Sequence, residues 1–531
     1  MEKFSFNLVD EPWIPVVENG RPRLMSLLDA LSRAHEVDGL ATANPLETIA
    51  VLRQVLLPAY LDACRIPDSE GEWKRRWREG RLPDEEIKGY LHHHRDRFDL
   101  FGARPFGQAA GLRTGKDEDK PVSLLIASIA TGNNVPLFTS RTEAAPPALT
   151  PAEAARAMLA TQCWDTAAIK SGAADDPQVK GGKTTGNPIG PCGALGVTVP
   201  IGRNLAETLI LNSPIVRQPL PEDVPQWRRG QPVTGVWQQK GALGLLDLLT
   251  WQSRRVRLIP ERDAGGRVVV RRVVLTAGDR LQPLPQDVEP HTAWRQVDKP
   301  RAGQAPVMPV RHRIGQDAWR GLASTLATIP EEKPVYTSPK LIIQLAGLDI
   351  ELPLQVLVVG VEYGNQSAVV EDVIIDIIPL PLAALRPGEV RQVVESVIRQ
   401  AEELRRAGNQ LDDNLRRASG GSPIPWDKGL RVGDALMHDL DPVVRRLLAG
   451  LQQQPDRCGD GEDAWRTVAR ALALKAAEPA LAAVPPTAFL GREEGRGGDG
   501  RKDNKPKKFY RASVAARWYS SAVDKILGIE S

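Results

Sequence analysis

Cysteine is scarce in this 531-residue chain: four residues, Cys64, Cys163, Cys192 and Cys458, with no C-x-x-C pair. That spacing counts against a zinc site of the usual ligand geometry and against a disulfide framework, and it points to a reducing compartment. No stretch approaches the ~18 uninterrupted apolar residues of a membrane span. The opening string MEKFSFNLVDEPW carries acids and a proline where a secretion signal needs an apolar run, so a cytoplasmic location is expected. A large charge of one sign is also missing. Lys and Arg total 69 against 66 Asp and Glu, a net +3, which excludes a histone-like polycation but leaves room for local basic faces. Catalytic signatures are few as well. There is no G-x-S-x-G elbow. Gly182-Lys183-Thr184 looks like the end of a phosphate loop, but Pro177 stands where the first glycine belongs. The flanks AADDPQVK and TGNPIGP can form neither the strand nor the helix that such a loop requires.

What is present is an ordinary globular composition, 42% hydrophobic and 25% charged. A length of 531 residues suggests two to four domains, at about 100–200 residues each. FSFNLVDEPWIPVV, Asn19-Gly20 and RPRLMSLLDAL read as strand, turn, short strand and helix. A buried helix is expected over 45–63, and Thr150-x-x-Glu153 is a capping box opening a helix to about Cys163. A basic hairpin follows over 254–280, then a second, LQVLVVGVEY with VVEDVIIDIIP, turning at Gly364-Asn365-Gln366-Ser367. Past Pro379, Pro381 and Pro387 the pattern becomes helical. Val390, Val393, Val394, Val397, Ile398, Ala401 and Leu404 make one apolar stripe, and further helices are expected near 434–452, 462–483 and 510–527. The expected fold is α+β: a large mixed α/β domain with irregular loops over 1–384, then a four-helix bundle over 385–531.

No spaced set of Cys, His and acidic residues suggests catalysis, so a binding protein is the first reading. The alternative is a metal-dependent nuclease using His92, Asp96 and Asp99. Against it, consecutive histidines on a helix diverge by about 100°, and only His92–Asp96, with the weaker His93–Asp96, has ligand spacing. No metal and no cofactor are expected. The binding signal has three parts. Residues 254–280 hold eight arginines against three acids, and alternation would put Arg255 and Arg257 on one face, suited to phosphates, with Arg272 on the partner strand. The 181–186 loop offers Gly181 and Gly182 beside Lys183, which permits close backbone approach to a groove. Asn365 and Gln366 stand at a hairpin tip, where amides can read base edges or wedge between pairs.

FNLVDEPWIPV (Phe6 to Val16) resembles the N-terminal signature of the CasA family, the large subunit of the type I-E CRISPR Cascade complex. FDLFGARPFGQ (98–108), GNNVPLFTSR and VEYGNQSAVV follow in the family's order, so the resemblance covers essentially the whole chain. It implies a non-catalytic subunit that reads the protospacer-adjacent motif on duplex DNA, wedges the duplex open and helps recruit the helicase-nuclease. Guide pairing reads the rest of the target, as in other RNA-guided systems. The implied partners are guide RNA, double-stranded target DNA, the helicase-nuclease, and the backbone, small and 5′-handle-binding subunits. By the same resemblance Gln366 is the wedge, Asn365 its minor-groove neighbour and Ser367 the next small residue. Gly181, Gly182 and Lys183 belong to the glycine loop, and Phe138 meets the guide RNA. Arg280, with Arg272 next, stands in for a lysine finger that this chain lacks.

Overall fold

The computed structural model describes residues 3–129, 131, 145–300, 305–312, 316–327, 335–364, 366–423, 430–493 and 508–529. Helix and strand are mixed, as expected, and the chain divides into two compact units, Met1–Ile377 and Ile378–Ser531. That division falls ahead of the 384/385 boundary expected from the prolines.

In the first unit the opening strand Ile14–Glu18 pairs antiparallel with Arg21–Met25. The chain reverses at Asn19 and Gly20, both at positive φ (52° and 70°), a turn whose twist suits a hairpin. The string before it is pinned from within: Trp13 is fully buried and donates its indole N–H to the Leu8 carbonyl at 2.9 Å. Leu8 N–H donates to the Phe98 carbonyl and Leu100 N–H to the Phe6 carbonyl. The Phe98 and Phe106 rings stack at 5.2 Å, and Gln108 donates to the Leu100 carbonyl while accepting from Leu258 N–H. The two strings that opened the resemblance therefore pack on each other.

The helix expected over 45–63 widens partway. Pro45–Val51 and Leu57–Ala63 are α-helical, but Leu52–Leu56 between them is a π turn just ahead of Pro58, whose ring nitrogen cannot donate. Both polar residues of that turn, Arg53 and Gln54, are buried. Arg53 forks onto Glu289 at 2.7 and 2.9 Å and donates to His291 Nδ1 at 2.6 Å. The capping box is present: Thr150 and Glu153 satisfy each other's backbone at the start of Pro151–Trp164.

Two hairpins dominate the sheets. Arg254–Arg262 pairs with Val268–Ala277, with a register shift between Val270 and Arg272. Gln355–Gly364 lies between Val369–Pro379 and Val197–Ile201 in a three-stranded sheet.

The second unit is helical. Glu389–Ala418 packs against Val432–Gln453, Cys458–Ala482 and Ala512–Leu527. The stripe from Val390 to Leu404 is buried and continues through Ala407, Leu411 and Leu415. Two specific contacts add to the apolar packing: Trp465 donates to Gln400 Oε1 at 2.7 Å, and Tyr519 to the Ala473 carbonyl at 2.8 Å. No described helix is long and apolar enough to cross a membrane.

Candidate nucleic-acid interface

Lys180-Gly181-Gly182-Lys183 folds as a two-residue hairpin turn. Lys180 and Lys183 exchange both backbone hydrogen bonds at 3.1 Å, and Gly181 and Gly182 sit at φ 57° and 74°. Side chains at these φ values are strained, which is why glycine occupies both positions. The register sets two exposed ammonium groups opposite each other, an arrangement that costs stability unless an anion arrives. Sequence reading included Lys183 but missed Lys180, although the symmetric K-G-G-K string was the available signal.

Arg280 lies beneath this loop. It donates to the Thr185 carbonyl at 2.7 Å, and its guanidinium carbon is 3.7 Å from the centre of the Trp237 ring. Burial and the neighbouring Arg254 lower its pKa from the ordinary arginine value.

At the second hairpin, Gln366 is exposed and Ser367 half-buried, both in the left-handed region at φ 59° and 62°. Two consecutive non-glycine residues there are uncommon and cost about 1–2 kcal/mol each. The base of this tip is fixed: Tyr363 donates to the Trp164 carbonyl at 2.7 Å. It packs so tightly on Gly193 that a Cβ there would lie 2.1 Å from the phenol oxygen. Asn365, Phe138 and the string GNNVPLFTSR (132–141) lie outside the described residues.

The basic hairpin requires a correction. Arg255 is buried, ion-paired with Asp279 at 2.7 Å, and also donates to the Thr234, Gln252 and Val236 carbonyls. It therefore does not share an exposed phosphate-binding face with Arg257, because loop 234–236 and Asp279 cover that part of the strand. Arg257 is half-buried, and Arg272 is half-exposed and paired with Asp119.

Asp99 is likewise occupied: its carboxylate accepts from Ser5 Oγ and from the Phe6 and Phe101 N–H groups, which closes the N-terminal strings together. Among the described residues no group of three or more His, Cys, Asp or Glu side chains is placed to hold a metal ion.

Comparison with known proteins places this two-unit α+β fold. A CRISPR-associated Cse1 protein from Acidimicrobium ferrooxidans superposes with a TM-score of 0.82 at 28% identity, covering 99% of both chains. Cse1 from Thermobifida fusca gives 0.83 at 28% identity, covering 99% of this chain and 98% of the other. The CRISPR-associated protein CasA/Cse1 of Thermus thermophilus is 29% identical over 505 residues, 89% of this chain and 91% of that one. The family model for CRISPR-associated protein Cse1 matches residues 7–476. The chain belongs to the Cse1 (CasA) family, the large subunits of the type I-E Cascade surveillance complex in CRISPR defence.

Proposed function

We propose that this chain is a non-catalytic large subunit that reads the protospacer-adjacent motif on duplex DNA and wedges the duplex open to start the R-loop. The observation that carries this reading is the pairing of a lysine-flanked Gly-Gly turn with an exposed Gln366 on a strained, firmly based hairpin tip. Lys180 and Lys183 would neutralise phosphates while the glycine backbone approaches the groove. Gln366, with Asn365 and Ser367, would enter the minor-groove side and replace stacking at the first opened pair, a cost of a few kcal/mol. Arg280 would brace the loop through the Thr185 carbonyl and add a DNA contact beside it, and Arg257 and Arg272 would contact the DNA backbone. Phe138 would meet the guide RNA. The helices of the second unit act as a four-helix bundle that contacts other Cascade subunits and helps recruit the helicase-nuclease.

Gln366→Ala in a guide-loaded complex should weaken stable opening of intact target without impairing assembly, and a target opened beforehand should restore binding. Equal binding of intact duplex by parent and variant would remove the wedge from this account.

A further inference from the structure

Between the glycine turn and the hairpin tip runs one short segment, 165–172, which touches both. At one end Ala167 N–H donates to the Ser367 carbonyl at 2.8 Å, inside the strained tip itself. At the other, Lys170 and Ser171 pair with Thr184 and Lys183, and Gly172 N–H donates to the Gly182 carbonyl at 2.9 Å. Asn187 ties the middle down by donating to the Ala168 and Thr184 carbonyls. Three charges hold this segment in shape. Asp165 accepts from Lys170 Nζ at 2.6 Å and from Arg254 Nε, and Arg254 also donates to the Thr166 and Pro188 carbonyls, each at 2.8 Å. Arg254 is 1% exposed and Lys170 9%. Burial works against the Asp165 carboxylate, but Lys170 and Arg254 outweigh it and hold its pKa below the ordinary value.

We propose that segment 165–172, clamped by the Arg254–Asp165–Lys170 cluster, is a positioning strap that couples the glycine turn to the Gln366 tip. The proposal rests on the reading of those two elements given above. A turn that docks on phosphates and a tip that must enter the same duplex need a fixed mutual distance. The strap supplies it through backbone hydrogen bonds, whose short range leaves little slack. Neither Asp165 nor Lys170 need touch DNA.

The test is a double-mutant cycle in the full guide-loaded complex, combining Gln366→Ala with Asp165→Asn and reading duplex opening. With the strap intact, removing the glutamine should cost opening affinity. With the strap loosened, the tip is already misplaced, so the same removal should cost little, a coupling of about tenfold. Lys170→Met, which leaves the Arg254–Asp165 contact in place, is the second variant should Asp165→Asn fail to fold. Hydrogen exchange gives a readout independent of DNA: loosening should speed exchange at Ala167 and across 366–368 together. Additive effects in the cycle, or faster exchange confined to 165–172 with the tip unchanged, would overturn the strap. If Gln366→Ala has no effect even in the parent, the wedge reading fails instead, and exchange at the tip decides the strap by itself.

Discussion

The buried network around Arg53 shows how single residues tie this unit together and where pH should act. Arginine can only donate, so His291 Nδ1 must accept from it; the ring proton then sits on Nε2 and donates to Asn212 Oδ1 at 2.9 Å. Asn212 in turn donates to the Pro200 carbonyl, on the strand that pairs with Gln355–Gly364. Burial, reinforced by Arg53, pulls the His291 pKa down to about 4, and burial does the same to His312. Both are neutral when folded but protonate near 6.5 once unfolded, so the unfolded chain binds more protons between those values. Stability should be complete above about pH 6.5 and fall as pH drops toward 4, by roughly 1.4 kcal/mol per pH unit for each histidine. Urea midpoints measured from pH 7 to 4.5 check this, and His291→Gln should remove about one proton from the slope. A flat profile would mean that neither ring is held neutral. The arginines of the first hairpin give a second residue-scale contrast. Arg255→Ala removes the nearest cation from the buried Asp279, which keeps Lys240 at 3.6 Å and the Gln238 N–H at 3.0 Å. It should cost about 2–3 kcal/mol of stability, below the ~3–5 kcal/mol of a buried charge left with no partner. Arg257→Ala should leave the melting temperature nearly unchanged while flattening the slope of log affinity against log salt by about 0.9.

Among the elements, the 355–379 hairpin joins a stable sheet to an energetically unfavourable tip. Gln366→Gly should stabilise the chain relative to Gln366→Ala by about 1 kcal/mol, since only glycine adopts φ 59° without penalty. Both variants should lose duplex opening equally, so thermal melts and opening assays should rank them differently. A glycine variant no more stable than the alanine one would show that the tip relaxes without cost. This hairpin, the capping box at Thr150 and the helical stripe from Val390 were legible because each is a local pattern: alternation, a four-residue cap, a 3.6-residue period. The FNLVDEPWIPV string was legible for a different reason: Leu8, Val9 and Trp13 are completely buried, so its pattern records packing rather than binding. Arg255 was misread because alternation assigns a face without saying what covers that face, and here it is covered by carbonyls far along the chain. The π turn was missed for want of a local signal beyond Pro58. The strap was missed because it depends on pairings between segments that no single-window pattern connects.

At the scale of the whole molecule, the division at Ile377/Ile378 makes a claim about where an independent folding unit begins. The prolines suggested a start near 385, after the linker. The structure instead places Leu380, Ala384 and Leu385 in the buried set, and the short 3-10 turn Leu382–Leu385 packs against Glu389–Ala418. If those side chains close the core of the helical unit, the unit begins ahead of the prolines. A fragment spanning 378–531 should be helical by circular dichroism and melt cooperatively. One beginning at 388 keeps all four long helices but loses two buried leucines, at about 2–5 kcal/mol for each large core side chain removed. It should melt at a clearly lower temperature, or populate a helical state without a cooperative transition. The comparison separates two accounts of this region. If the shorter fragment is as stable as the longer, residues 378–387 are a tether and the proline-marked boundary was the better one. If the longer fragment alone melts sharply, the helical unit starts immediately after Ile377, with the leucines closing its core.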